Sequence, residues 1–330
     1  MSEGLPLLGG VAAFRLISDK LCQVKELINE QLLCCPDKIG LGRLLKHLES
    51  CGGKMIRPGL VLLSGGAVGK ITGQHIRIAA IMEMIHNATL LHDDVIDEGQ
   101  RRRGQETVNS LWGNESAVLL GDFLLSNVFK MCADLQPELV KIIATAAGRT
   151  CEGELRQIAQ RENWRLSETE YLDIITEKSA TLFSSCCYLG GFLSSAGETE
   201  VQLLSDFGLN LGIAFQITDD LLDIIGDEIK MGKTIGSDVD KNKLTLAVIH
   251  LLASTEGNQK GELIKKLVTV RDSRRAFAEI LKSNGSLEYA YGRAKEYISK
   301  ATKQLSELKD SAAKQSLIET ANYIIERVSL

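Results

Sequence analysis

Residues 203–226 read LLSDFGLNLGIAFQITDDLLDIIG. Apolar side chains recur at Leu203, Phe207, Leu211 and Phe215, the spacing of one helical face, and predict a long helix that runs into the acidic cluster Asp219-Asp220-Leu-Leu-Asp223. Gly208 and Gly212, four residues apart on that helix, are expected to let a second helix pack closely against it. The same D-D-x-x-D pattern stands at Asp93-Asp94-Val-Ile-Asp97, after another helical stripe made by Ile78, Ile81, Met82 and Ile85. The flanks of the two motifs differ, so they read as two walls of one site rather than as a tandem repeat. Each is expected on its own helix, near the end that points at a cavity mouth.

Outward from these motifs the chain keeps a helical character. It has 330 residues and only four prolines, none after Pro137, and it is rich in Leu, Ile, Ala, Glu and Lys. Alternating strand patterns are scarce. Turn signals cluster at residues 64–66, 98–104, 163–168, 226–240, 254–260 and 283–286, and no linker or low-complexity tract separates them. The expectation is an all-α fold, a single domain over residues 1–330 built as one large helical bundle.

Composition removes several classes. With 44% hydrophobic and 25% charged residues the chain has material for a sizeable core. A net charge of −5 argues against a nucleic-acid partner, so local basic clusters call for a local anion. Of eight cysteines, Cys34-Cys35 and Cys186-Cys187 are adjacent pairs, and none forms a C-x-x-C or a zinc-like Cys/His grouping. They read as reduced thiols. No run reaches the ~18 apolar residues of a membrane span, and the start MSEGLPLLGGVAAFRL lacks the basic leader of a signal peptide. A cytoplasmic location is expected, with transient membrane contact only for product release.

Carboxylates three and four residues apart share a helix face and repel one another unless cations intervene. Two such faces would make an oxygen-lined site for hard divalent ions, best suited to several Mg2+ ions, and the natural ligand of ions held this way is a diphosphate. Basic residues follow each motif: Arg101, Arg102 and Arg103 after the first, and Lys230, Lys233, Lys241 and Lys243 after the second. Lys54 and Arg57 lie upstream, Lys178 and Ser179 on a separate helical stretch, and His86 two turns before Asp93. Metal ions can clamp one diphosphate while Arg and Lys hold a second without metal.

Six stretches carry a family likeness: GGKMIRP (52–58), LLHDDVIDEGQRRRG (90–104), GELRQ (153–157), EKSATLF (177–183), FQITDDLLDIIGD (215–227) and GKTIGSDVDKNKLTL (232–246). In order and spacing they resemble the all-trans polyprenyl diphosphate synthases, and the likeness runs from about residue 40 to Arg327. The resemblance implies a helical bundle around a central apolar cavity. It implies a reaction that joins an allylic diphosphate to isopentenyl diphosphate with loss of diphosphate. Asp93 and Asp97, with Asp94 supporting, then stand as Mg2+ ligands of the first motif, and Asp219 and Asp223 as those of the second, with Asp220 behind them. Lys54, Arg57, His86 and Arg103 resemble the pocket for the diphosphate of isopentenyl diphosphate. Arg102, Lys178, Ser179, Gln216 and Lys233 resemble the contacts to the allylic diphosphate, Lys243 matches a further basic position, and Gln157 a polar one lining the cavity. Ser179 stands where Thr is usual, Asn242 where Gly is usual and Ala247 where Pro is usual; none of these removes a charge.

If the helix carrying Asp93 lines the product tunnel, Ala88 and Thr89 set its first constriction, followed by Ile85, Met82 and Ile81. Both first positions are small, whereas short-chain members of the family typically carry a bulky residue there. A C30 to C50 product is therefore expected, of the kind used for quinone tails, with the C20 geranylgeranyl diphosphate as the alternative. Phe123, Phe129 or Met131 are candidates for the tunnel floor. The resemblance also implies a homodimer, the alternative being pairing with a small second subunit. A class I terpene cyclase is disfavoured because its second metal motif mixes Asn, Ser or Thr with Glu. A non-catalytic partner subunit is disfavoured because such chains lose carboxylates or basic residues that are all kept here.

Overall fold

A computed structural model describes residues 12–33, 40–226, 241, 243–257, 259–270 and 273–328. Lys230, Lys233, Asn242, Cys34, Cys35 and all but the first residue of the turn cluster at 226–240 lie outside the described residues. After a 3₁₀ segment at Ala12–Ile17 come α1 (Ser18–Leu33), α2 (Leu41–Ser50), α3 (Ile56–Val68) and α4 (Gly73–Ile96). A two-stranded hairpin, β1 (Arg101–Arg102) and β2 (Gln105–Glu106), precedes α5 (Val108–Trp112), α6 (Asn114–Cys132), α7 (Pro137–Ala159) and α8 (Glu168–Ile175). A π-helical turn at Thr176–Ala180 leads into α9 (Thr181–Leu193) and then α10 (Glu198–Ile225). The chain continues through α11 (Leu246–Ala253), α12 (Gln259–Val270), α13 (Arg274–Ser283), α14 (Ser286–Leu305) and α15 (Ala312–Glu326). The fold is an all-α bundle, as the periodicity predicted.

Glycines set how closely the central helices approach. A Cβ on Gly208 would lie 2.7 Å from the Phe183 carbonyl oxygen, and one on Gly212 would lie 2.5 Å from Ala180 Cα, so α10 packs on α9 and on the π-helical turn before it at a distance no side chain would allow. α9 meets α3 in the same way, because a Cβ on Gly190 would lie 2.3 Å from the Val61 carbonyl oxygen. The expected turn at residues 64–66 is absent: Ser64, Gly65 and Gly66 lie inside α3. There the glycine serves packing, since a Cβ on Gly65 would run into the buried His75 ring at 2.4 Å. Tertiary contact has overridden the local turn signal.

α3 packs on both α4 and α9, and α9 packs on α10. α9 also touches α4, so it stands between the two helices that carry the acidic motifs. Ile78, Ile81, Met82 and Ile85 are buried in the larger of two apolar clusters, and Phe207 and Leu211 join them there from α10. Ile213, Ile217 and Leu221 turn the other way, toward a second cluster shared with α11 and α14. Among the described residues no helix is long and apolar enough to cross a membrane.

Candidate active site

The first acidic motif closes α4: Asp93 and Asp94 occupy its last turn, and Asp97 is its C-cap. Three carboxylates at a helix C-terminus meet the negative end of the helix dipole, an unfavourable placement that must be offset by cations. The hairpin that follows supplies one. Arg102 donates from Nε (2.8 Å) and Nη2 (2.7 Å) to Oδ1 of the buried Asp94. Asp97 accepts from Lys243 Nζ at 3.0 Å, with Lys241 Nζ and Arg161 Nη2 each at 3.4 Å. The second motif sits within the last turns of α10. Asp219 Oδ1 lies 3.0 Å from Arg327 Nη2, beyond the last helix, and that guanidinium also lies over the Phe215 ring at 5.0 Å.

Asp220 is buried and accepts from the Tyr171 hydroxyl (2.6 Å) and from Gln216 Nε2 (2.7 Å). Gln216 Oε1 in turn accepts from the Ser179 hydroxyl at 2.6 Å. This relay depends on local structure. Ser167 and Glu170 form a capping box that fixes the start of α8 and so the position of Tyr171. The π-helical turn carries Lys178 and Ser179, and α7 approaches it so closely that a Cβ on Gly153 would lie 2.2 Å from the Lys178 amide nitrogen. A single π turn inserts one residue into a helix and is characteristic of functional positions. Lys178 Nζ donates to Gln157 Oε1 at 2.7 Å and pairs with Glu154.

The electrostatics are those of a crowded, partly dehydrated charge cluster. Burial pushes the Asp93 carboxyl up to about 6, with Lys178 opposing the rise and Glu154 adding to it. Burial also raises Asp94, against the pull of Arg102. For Asp97 burial is outweighed by Lys243 and Lys241, and its carboxyl is held below the usual range. Arg102 is held above its usual range, because Asp94, Asp93 and Asp219 together outweigh burial. One guanidinium thus feels carboxylates of both motifs.

The hairpin turn separates two neighbouring arginines. Arg103 (φ 53°) and Gly104 (φ 80°) are both left-handed between the paired Arg102 and Gln105, the geometry of a two-residue type I′ turn. Arg103 therefore leaves on a different course from Arg102: it donates to the Gly52 carbonyl, and Gly53 leaves it room, since a Cβ there would lie 2.9 Å from Nη1. Arg57 is buried in the first turn of α3 with its guanidinium over the Phe183 ring at 4.9 Å. Lys54 is exposed, its Nζ 5.2 Å from the Tyr323 ring centroid. Burial, reinforced by Arg57 and Arg103, drives His86 well below its usual range, so its imidazole is neutral at pH 7.

Arg57, His86 and Arg103 thus lie within electrostatic reach of one another, whereas Arg102 and Lys178 act on the aspartates and Ser179 and Gln216 lead to Asp220; Lys54 stands against Tyr323. Ala88, Ile85 and Met82 are fully or almost fully buried on α4. Thr89 is half-buried, its hydroxyl returned to the His86 carbonyl at 2.8 Å. One expectation fails: Phe129 is 73% exposed on α6 and cannot floor a tunnel within this chain, whereas Met131 is buried and Phe123 packs against the core. Tyr171, Arg161, Glu154 and Arg327 had no role on sequence grounds, and Lys241 stood only among the basic residues after the second motif. Tyr171, Arg161 and Arg327 lie far along the chain from the carboxylates they serve, and Glu154 inside the short GELRQ stretch.

The polyprenyl synthetase family matches residues 40–283. The chain belongs to this family. A short chain isoprenyl diphosphate synthase of Methanothermobacter thermautotrophicus is 34% identical over 86% of this chain and 90% of its own length. The octaprenyl diphosphate synthase of Escherichia coli strain K12 is 35% identical over 87% and 90% respectively. Among solved structures, a polyprenyl synthase from Caulobacter crescentus, complexed with calcium and isoprenyl diphosphate, superposes with a TM-score of 0.89 at 31% identity, covering 98% of this chain and 99% of that one. This protein is accordingly a prenyltransferase of isoprenoid biosynthesis, an all-trans polyprenyl diphosphate synthase. The enzymes of this family act on isopentenyl and allylic diphosphates.

Proposed function

We propose that this synthase repeats the condensation of isopentenyl diphosphate onto an allylic primer until the chain reaches C30 to C50. The observation that carries this reading is the pair of small residues, Ala88 and Thr89, one turn before Asp93. Ala88 is fully buried, and Ile85 and Met82 continue inward along the same helix. No aromatic ring stands at either position to stop a growing chain.

Asp93, Asp97, Asp219 and Asp223 would hold Mg2+ ions, with Asp94 and Asp220 kept in place behind them by Arg102 and by Tyr171 and Gln216. The donor set fits: it is all carboxylate, without thiol or imidazole, and burial has already lifted Asp93, as expected of a carboxylate that lacks enough positive charge. Among the described residues no three carboxylates converge on one point, since Asp94, Asp97 and Asp219 are turned onto Arg102, Lys243 and Arg327. When bound, Mg2+ stabilises the negative charge that grows on the leaving diphosphate.

The chain's own groups do the rest. Arg102, Lys178 and Lys233, with Ser179 and Gln216, hold the allylic diphosphate and spread the charge of its leaving oxygen. Lys243 adds positive charge beside Asp97. Lys54, Arg57, His86 and Arg103 hold the diphosphate that is not cleaved, so the double bond of isopentenyl diphosphate faces the allylic carbon. As the allylic carbon–oxygen bond breaks, attack by that double bond forms the new carbon–carbon bond, and the proton then shed by the isopentenyl unit passes to the departed diphosphate. The apolar wall formed by Ala88, Ile85 and Met82 keeps water from quenching the cation.

The reading includes a single catalytic domain, a cytoplasmic location and a homodimer. The dimer draws support from α6, where Leu119 (66% exposed) and Phe129 present large apolar side chains to solvent. Product analysis tests the chain length. Purified protein is incubated with Mg2+, farnesyl diphosphate and labelled isopentenyl diphosphate, and the dephosphorylated products are resolved by reversed-phase chromatography. Products of C30 or longer are expected; a product ending at C20 would refute the open-tunnel reading, and no product with any primer would point to a required second subunit.

A further inference from the structure

Glu83 lies on α4 ten residues before Asp93, in an otherwise apolar stretch, and is only 3% exposed. Its Oε2 is buried with no hydrogen-bond partner, and so is Nε of Arg57 on the neighbouring α3. A buried carboxylate oxygen without a donor is costly and is seldom kept without a purpose. Two cationic side chains account for it. Arg103 and Glu83 line the same cavity of about 280 Å³, between α1, α2, the loop 52–55 and α4, and Lys25 lines it as well. Arg57 stands on α3, which packs directly on α4.

We propose that Glu83 is a positioning residue for isopentenyl diphosphate, holding the guanidinium groups of Arg57 and Arg103 together where its diphosphate binds. Two guanidinium groups that share one counter-charge repel each other, and without Glu83 the exposed Arg103, tied down only at the Gly52 carbonyl, would move away from the buried Arg57. The charge balance agrees. Burial lowers Arg57 and Arg103, Arg103 adds to the fall at Arg57 and Arg102 to that at Arg103, and Glu83 is the first carboxylate to oppose it at both. Burial raises Glu83 itself, with Arg57, Arg103 and Lys25 opposing in that order. Glu83 Oε2 and Arg57 Nε each lack a hydrogen-bond partner, so that edge of Arg57 stays available to a ligand, while Arg103 gives Nη1 to the Gly52 carbonyl.

The inference rests on the assignment of Arg57 and Arg103 to isopentenyl diphosphate, and one set of assays separates the two. Initial rates are measured for Glu83→Gln, Glu83→Asp, Arg57→Gln and Arg103→Gln, varying isopentenyl diphosphate and farnesyl diphosphate in turn, with thermal unfolding of each variant as a control. Glu83→Gln is expected to raise the KM for isopentenyl diphosphate about tenfold, and Glu83→Asp about threefold, with the KM for farnesyl diphosphate within about twofold and kcat falling less than KM rises. If Glu83→Gln does not fold, Glu83→Asp decides alone. An unchanged isopentenyl diphosphate KM, or an equal rise for both substrates, in whichever variant folds would overturn the proposal. If the arginine variants themselves leave that KM unchanged, the pocket assignment falls instead.

Discussion

Arg102 and Arg103 are adjacent in sequence and sit in opposite electrostatic surroundings. Arg102 lies among Asp94, Asp93 and Asp219, which outweigh burial and hold it above its usual range; Arg103 is held below its own by burial and by Arg102, against the pull of Glu83. The type I′ turn that starts at Arg103 makes this division. On the proposed reading, the half with Arg102 gathers the carboxylates of both motifs and takes its diphosphate through metal ions, while the half with Arg103, Arg57 and Lys54 takes the other diphosphate directly. A reaction that cleaves one diphosphate and spares another calls for this asymmetry, because metal-assisted charge stabilisation belongs only where a bond breaks.

The largest effect should come from emptying the acidic half. Asp93→Ala or Asp219→Ala is expected to lower kcat by about three orders of magnitude or more, with an unchanged thermal transition in metal-free buffer. Near-normal turnover would remove the metal-clamp assignment. The two arginines sharpen the contrast. Arg102→Gln should raise the KM for the allylic substrate about tenfold, while Arg103→Gln should do the same for isopentenyl diphosphate. Equal effects on both substrates would mean that the halves are not separate.

A smaller effect on rate, but a visible one on product, is expected below the acidic half. Ala88→Phe or Thr89→Phe should shorten the product by one or more isoprene units and leave the first condensation within about threefold. Unchanged product length by chromatography would mean that the tunnel runs elsewhere. The smallest effect concerns stability. Asp93 is raised to about 6 in the folded protein from an ordinary carboxylate value, so between about pH 4 and 6 the native state binds more protons than the unfolded one. Stability of the metal-free protein should fall as pH rises through that window. Asp94 and Glu83 contribute in the same direction, and Asp97 in the opposite one. Asp93→Asn should flatten the fall by about 2 kcal/mol in urea unfolding; an unaltered pH profile would show that Asp93 is better solvated than its surroundings suggest.

The two D-D-x-x-D motifs were legible because three carboxylates on a helix face next to Leu and Ile have no ordinary structural use. The glycines of α10 were legible too, since residues four apart on a helix must face one neighbour. The same reasoning failed at residues 64–66, where packing against His75, over a hundred positions of sequence from its other neighbour Gly190, turned a turn signal into helix interior. Phe129 failed for a related reason: an aromatic residue on a helix pattern does not reveal whether it faces the core or the outside of the chain.

By itself the sequence determined the helical class, the acidic and basic residue sets and their order along the chain, because periodicity and charge spacing are local properties. Only the tertiary structure decided which cation serves which carboxylate. It turned Arg102 toward Asp94 and Arg103 toward Gly52, brought Tyr171 to Asp220 and Arg327 to Asp219, and left Glu83 buried beside two arginines. The physical reason is range. A helix face is set within a few residues, whereas an ion pair acts over a few ångströms between groups that the packing of helices, not the sequence between them, brings together.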